Sequence, residues 1–445
     1  MAQIVVIGGG IGGLPTAYEL RHLLGKKHRV TLISDRAQFT FIPSLPWVGM
    51  DLMPLERVQV DLATALGRQG IEWIHDRVEA IDLEGQQLHV SDRAIAYDYL
   101  IVATGAELAV DAVSGLGPHG GYTQSVCNPQ HALIARDAWK AFLKNPGPLV
   151  VGAVPGASCM GPAYEFALLA DFILRKYGLR DRVPITFITP EPYAGHLGIG
   201  GMANSSEMVT ALMKKREVTL MENTAITSIE RDRVCLSNGE SVPFAYSMLL
   251  PPFRGPRFVR STPGLGDENG FIPVLPTGRH RDFPSVYAAG IAVALAPPEV
   301  TPLPLGVPKT GQMTEAMGMA AAHNIALELG VMGGKPVKPT LEAICMADFG
   351  DTGLIFIADP VLPDRKTGKR RRAVVKQGRW VSWSKLAFET FFLAKMRWGM
   401  AVPWFERLGL RTLGLSLVEP LDPDEEIAVE QGRSLAGVGG SKVET

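Results

Sequence analysis

The feature that most restricts the fold stands at the start of the chain. Residues 3–7 (QIVVI) form an apolar run typical of a buried parallel strand. Gly8-x-Gly10-x-x-Gly13 follows, then a helix-like stretch to about Leu24 and a second apolar run at 29–34 (RVTLIS). A glycine loop between strand and helix is the setting of a dinucleotide-binding βαβ unit. There the first glycine permits a tight turn, the second admits a pyrophosphate to the backbone, and the third lets helix and strand pack closely. The helix N-terminus offers unpaired N–H groups and a positive dipole end to the phosphates. Asp35 ends the second strand, placed to accept from a ribose hydroxyl. The motif alone does not settle which dinucleotide is bound.

Composition narrows the class. The 445 residues are enough for two or three domains, with 46% hydrophobic and 20% charged residues, which excludes a disordered chain. A net charge of −1 excludes a general nucleic-acid binder. Four cysteines without a C-x-x-C pair give neither a disulfide scaffold nor a zinc ribbon, so no metal site is expected. The first residues carry no secretory pattern, and no run of about 20 apolar residues is free of Pro or charge. Membrane contact is therefore expected to be monotopic.

Two later stretches, 97–105 (YDYLIVATG) and 286–291 (VYAAGI), resemble the further signatures of two-dinucleotide-domain flavoproteins and favour FAD. In the second, Ala289-Gly290 replaces the usual Gly-Asp, so binding there would lean on backbone groups. Another βαβ candidate begins at 148–151 (PLVV), turns through 152–161, continues as a helix from Pro162 to about Tyr177 and reaches a strand at 185–189. In a flavoenzyme that uses NADH this loop cradles the nicotinamide nucleotide. Here Pro155 stiffens the turn, Cys159 intrudes, and Thr189-Pro190 stand where an acid belongs, with Glu191 late. The NAD(P) site reads as lost, and the cysteines become the place to look for the electron donor. Cys159, at a glycine loop opening a helix, is expected to be exposed with a lowered pKa. Cys345 enters a turn from a strand, Cys127 precedes a helix, and Cys235 reads as a small buried hydrophobe.

The stretches 152–165 (GAVPGASCMGPAYE), 191–201 (EPYAGHLGIGG), 306–315 (GVPKTGQMTE) and 344–353 (ICMADFGDTG), in this order, resemble sulfide:quinone oxidoreductase of the bacterial three-cysteine type. The resemblance runs from Gly8 to about Arg407. It implies an enzyme that oxidises sulfide to zero-valent sulfur or polysulfide through a Cys159–Cys345 redox pair, with Cys127 auxiliary, and passes the electrons through FAD to ubiquinone or another membrane quinone. It also implies flavin contacts at Gly8, Gly9, Gly10, Ile11, Gly12, Gly13, Ser34, Asp35, Phe41, Pro43, Arg77, Val78, Thr104, Gly105, Ala289, Gly290, Lys309, Thr310, Gly311 and Lys385. Glu165, six residues beyond Cys159 in one helix, is a candidate acid/base or a solvent-facing carboxylate. His131 and His196 carry the family's pattern of histidines and are open to a catalytic or a structural role. Phe391, Phe392 and Phe405 are the quinone candidates, with Phe405 where relatives carry a tyrosine.

The expected architecture is α/β. It has two Rossmann-like dinucleotide-binding domains, at 1–115 with 266–335 for FAD and at 116–265 with a degenerate NAD site. A C-terminal region, 336–445, is amphipathic, helical and membrane-associating. Residues 224–250 read as an antiparallel meander, 312–329 as a Met- and Ala-rich helix, and 380–413 as helical, aromatic and basic, suited to an anionic lipid surface. The chain from Val418 reads as frayed. A peripheral protein of the bacterial cell membrane is the expected location, its face and any homo-oligomer left open. Competing readings are the flavin subunit of a flavocytochrome c sulfide dehydrogenase, type II NADH:quinone oxidoreductase, and a non-catalytic sulfide sensor.

Overall fold

The structure, a computed structural model, describes residues 1–364, 367–412 and 414–423, together with 425 and 429. Its first sheet is parallel, in the order Val286–Ala288, Tyr99–Val102, Gln3–Ile7, Arg29–Ser34, Glu72–His75. Central strands of such a sheet are covered on both faces, which is why QIVVI and RVTLIS carry continuous apolar runs. Helix Gly13–Leu24 packs on it, and helix Gly311–Glu328 packs on that helix in turn. The small residues of the second helix allow the contact: a methyl built on Gly318 would stand 1.9 Å from the Thr16 hydroxyl.

The second sheet is also parallel, in the order Val218–Met221, Ile185–Ile188, Leu149–Ala153, Tyr246–Leu250. The expected meander is thus split. Ile226–Ile229, Arg233–Leu236 and Ser241–Pro243 are antiparallel, whereas Tyr246–Leu250, wholly buried, joins the parallel sheet. A third, antiparallel sheet (Ala343–Asp348, Gly353–Asp359, Arg372–Gln377) carries Cys345 opposite Phe356.

Two C-terminal expectations change. The helix expected over 380–413 is two helices, Arg379–Trp398 and Trp404–Thr412. Gly399 closes the first in the left-handed conformation, at φ 67°, and Pro403 precedes the second. The chain from Val418 is not frayed at its start: Val418–Pro420 pairs antiparallel with Val337–Pro339. The Gly/Ser-rich end from 430 lies outside the described residues.

Not every basic residue of the aromatic segment faces outward. Lys395 is buried and pairs with Glu315 at 2.5 Å and Glu406 at 2.7 Å, joining three helices. Lys385 is buried against Glu165. A buried ion whose partner is removed leaves an uncompensated charge costing about 3–5 kcal/mol. Lys395→Met is therefore expected to lower the stability of the FAD-loaded protein by about that amount in thermal or denaturant unfolding. Adding Glu315→Leu and Glu406→Leu should recover most of the loss, and an unchanged midpoint in the single variant would contradict the pairing.

Candidate flavin and cysteine site

The first glycine loop has the shape a pyrophosphate needs. A methyl on Gly13 would meet the Gly8 carbonyl oxygen at 1.8 Å, so helix and strand approach as closely as backbones can. Over Gly10 there is open space within 4 Å of such a methyl, which leaves its backbone approachable. Gly8, at φ 108°, lies against Ala103 and Thr104 of the neighbouring strand end. The Thr104 hydroxyl beside it is buried without a partner in the protein. Asp35 is paired with Arg77 at 2.9 Å on the surface. Gly9 lies against Leu62 and Ser34, and Gly12 against Thr314, while Val78 and Ala289 sit in the core. Gly290 directs its N–H at the Met317 sulfur, 3.3 Å away, so this amide is already engaged. Thr310 caps helix Gly311–Glu328, and the Ile11 side chain lies over Gly311. Lys309 stands 5.3 Å from the centre of the Phe271 ring. Burial pushes its ammonium down to about 8. The open loop, the orphaned hydroxyl and this cation fit a dinucleotide with an electron-accepting ring.

Three cysteines converge beyond that loop. Cys345 comes from the third sheet and Cys159 from the loop before helix Gly161–Lys176, and the Cys345 sulfur is 3.5 Å from where a methyl on Gly161 would stand. Cys159 feels both Cys127 and Cys345 electrostatically. Cys235 is elsewhere, paired with Glu230 in the antiparallel sheet. Its reading as a core residue is corrected to half-buried.

The lowered pKa expected for Cys159 is not found. Burial pushes its thiol up to about 11, the neighbouring Cys127 adds to this, and only a hydrogen bond from the Gly161 N–H opposes it. Desolvation outweighs the helix end here. Cys345 is pushed up to about 12 for the same main reason, with Cys159 and Glu165 adding and Lys385 opposing.

Glu165 is buried rather than solvent-facing. It accepts from the Lys385 ammonium and from the Asp348 N–H at the end of the Cys345 strand. Burial, only partly offset by Lys385, raises its carboxyl to about 7. Lys385, paired with Glu165, acts on the Cys345 thiol, its ammonium 4.6 Å from the Trp47 ring centre. His131 is buried, its Nδ1 is unpartnered, and its ring is 5.2 Å from that of His119. Burial and His119 lower its pKa to about 4, so it is neutral. His196 is buried too. Its Nδ1 accepts from the Gly198 N–H at 3.2 Å, so Nε2 carries the proton and donates to Glu299 at 2.7 Å.

The aromatic trio is divided. Phe391 and Phe405 meet edge-on with ring centres 5.7 Å apart. Phe392 is buried against Phe39 and Phe41 at 6.2 and 5.4 Å, and Phe388 closes that cluster. Pro43 follows Phe41 in a short 3₁₀ turn. Sequence reasoning missed Asp348, although it lies inside a quoted motif, and Arg370 and Glu299, whose partners are more than a hundred residues away.

The second glycine loop is filled by the protein itself. Gly156 donates its N–H to the Pro304 carbonyl at 2.7 Å, and Gly306 donates back to Ala157 at 3.1 Å. Segment 304–306 is thus bonded directly to the second glycine loop. Glu191 is buried, its Oε2 accepting from Tyr164 and from the Thr189 hydroxyl at 2.7 Å and its Oε1 from the Leu197 N–H at 2.7 Å, so it is held inside the protein rather than presented at the surface.

These features define a two-dinucleotide-domain flavoprotein with a cluster of cysteines at its second glycine loop. The chain matches the pyridine nucleotide-disulphide oxidoreductase family over residues 2–320. It is 41% identical over 416 residues to the sulfide-quinone reductase of Aquifex aeolicus (strain VF5), across 91% of this chain and 93% of the relative. The solved sulfide:quinone oxidoreductase of Aquifex aeolicus superposes with a TM-score of 0.90 at 39% identity, covering 95% of this chain and 98% of that one. NDH2 of Plasmodium falciparum in complex with NADH shares the fold at a TM-score of 0.66 and 14% identity, over 91% of this chain and 99% of that one. The chain therefore belongs to the pyridine nucleotide-disulphide oxidoreductases and, within them, to the sulfide-quinone reductase family. Its cofactor is FAD.

NADH added to the oxidised FAD-loaded protein is expected to leave the flavin absorbance unchanged. Rapid bleaching would show that segment 304–306 yields to a nucleotide.

Proposed function

We propose that this chain is a flavoenzyme that oxidises sulfide to zero-valent sulfur and reduces a quinone, with Cys159 and Cys345 as its redox pair. The observation that carries the reading is their meeting, from two distant segments, over a buried carboxylate and beside a nicotinamide loop closed by the chain itself. Sulfide attacks one sulfur of a bridge between Cys159 and Cys345. The S–S bond breaks, leaving a persulfide on one cysteine and a thiolate on the other. That thiolate and the persulfide sulfur then join, losing two electrons and the persulfide proton, into a trisulfide bridge that carries the added zero-valent sulfur, and bound FAD would supply the two-electron relay from them to quinone. A thiolate from so high-pKa a thiol is a strong nucleophile once released. Glu165 takes the proton of the incoming sulfide at its carboxylate, and Lys385 holds that carboxylate in place. Lys309 supplies positive charge where negative charge develops on the reduced cofactor's side of the site.

Quinone arrives from a membrane surface, and the bacterial cell membrane is the location this reading assigns. No helix among the described residues is long and apolar enough to cross a bilayer. The two C-terminal helices instead expose Trp383 and Trp404 at 75% each, with Trp398, Phe405 and Leu408. Large aromatic and apolar side chains on helices that also carry exposed Arg397, Arg407 and Arg411 suit an interfacial position. Phe391 and Phe405, at this edge, are the quinone-contacting candidates, and Phe392 supports them from the core. An exposed face of this kind favours a membrane quinone over the haem partner of a flavocytochrome.

Cys159→Ala and Cys345→Ser are each expected to reduce sulfide-dependent reduction of a soluble quinone analogue to background while FAD stays bound in the visible spectrum. Full turnover in either would refute the redox pair. For Glu165 the working form is the ionised carboxylate, so flavin bleaching by sulfide should rise as pH increases through about 7. Glu165→Gln should remove that step and slow bleaching by about 10²-fold or more. An unchanged rate and profile would remove Glu165 from the mechanism.

A further inference from the structure

The glycine-rich segment 191–201 has no part in the chemistry above, yet its backbone is unusually constrained. Leu197, a branched residue, is held at φ 61°, between Gly195 and Gly198, which are also left-handed. A conformation of that kind persists only when its surroundings fix it. Glu191 accepts from the Leu197 N–H at 2.7 Å, and a second hold on the segment comes from the C-terminal region. The Arg370 guanidinium donates to the carbonyls of Ile199 and of Gly201, the latter at 3.1 Å, while its Nε donates to Val361 of its own region at 2.9 Å. His196, through Glu299, ties the same segment to the chain leading into 304–308.

The layers then stack toward the cysteines. A methyl on Gly198 would stand 2.4 Å from the Gly306 carbonyl oxygen and 3.5 Å from Pro308. One on Gly306 would stand 2.5 Å from the Ser158 side chain, next to Cys159. Arg370, loop 196–201, segment 304–308 and the Cys159 loop thus form one pile, each member in contact with the next.

We propose that Arg370 is a positioning residue that clamps this pile and so sets the room beside the Cys159 sulfur, and with it the length of sulfur chain retained there. A planar guanidinium suits the role, because its fixed fork serves several carbonyls at once where an ammonium serves as a point charge. The consequence for sulfur length rests on the sulfide-oxidising reading; the clamp itself does not.

The test separates the two. FAD-loaded, dithiothreitol-reduced full-length protein is treated with N-ethylmaleimide or with a bulky polyethylene-glycol maleimide, and modification at each cysteine is quantified by peptide mass spectrometry. In Arg370→Met the bulky-to-small ratio at Cys159 should rise about tenfold, as expected for losing charge-assisted hydrogen bonds, with the ratio at Cys235 unchanged. During sulfide turnover the same variant should release shorter polysulfides. An unchanged ratio at Cys159, or an equal rise at Cys235, overturns the clamp. If Arg370→Met yields no FAD-loaded protein, the ratio in Arg370→Lys decides, with a smaller rise at Cys159 alone expected. Absence of sulfide turnover in the parent protein would overturn the sulfide reading, and the maleimide ratio alone would then decide whether Arg370 is a clamp.

Discussion

The ion pair between Glu165 and Lys385 holds the site together. One partner lies in the helix that follows the Cys159 loop, the other in the aromatic C-terminal helix. The carboxylate also accepts from the Asp348 amide, at the end of the strand that carries Cys345. Three separately formed pieces of structure are therefore fastened at one buried carboxylate. Such a pair stabilises little against an apolar replacement, because both ions lose their hydration. Its value lies in geometry, since only one arrangement of the three pieces satisfies it. The same burial leaves the carboxyl near neutrality, able to hold or release a proton where the chemistry calls for one.

The fold carries two dinucleotide-binding scaffolds, and their two glycine loops differ in what they touch. The difference is local. At the first loop the space over Gly10 is empty and Thr104 lacks a partner; at the second, the amide of Gly156 and the carboxylate of Glu191 are spent on the protein itself. Segment 304–306, bonded to the second loop, also lies against Ser158 beside Cys159.

Short-range signals carried most of the architecture. Strands at 3–7, 29–34 and 149–153 follow from apolar runs, and the helices after the first and third follow from the glycine-rich loops between. Pro155 and the displaced Glu191 marked the second loop as unusual, but its pairing with Pro304 was not legible, because Pro304 is about 150 residues away in the chain and nothing local marks it. The acidity of Cys159 was misjudged for a related reason. A loop opening a helix suggests a stabilised thiolate, but burial depends on what the rest of the chain lays on top. The two buried lysines of the aromatic segment were not legible at all, since a lysine facing Glu315 or Glu165 has the same local sequence as one facing solvent.

Those lysines bear on how a surface helix can serve a buried cofactor. An interfacial helix held only by its apolar face would rock with the bilayer, and a quinone docking against it would meet the flavin at varying distance. Lys385 fixes the first half of helix Arg379–Trp398 to the cysteine site, and Lys395 fixes its second half to helix Gly311–Glu328 and to the helix that follows. Helix Gly311–Glu328 in turn packs on the first helix of the FAD domain. The exposed aromatic face and the cofactor cradle are therefore parts of one rigid connection. The two buried lysines thus hold the exposed aromatic surface in place against the cysteine site and the FAD domain.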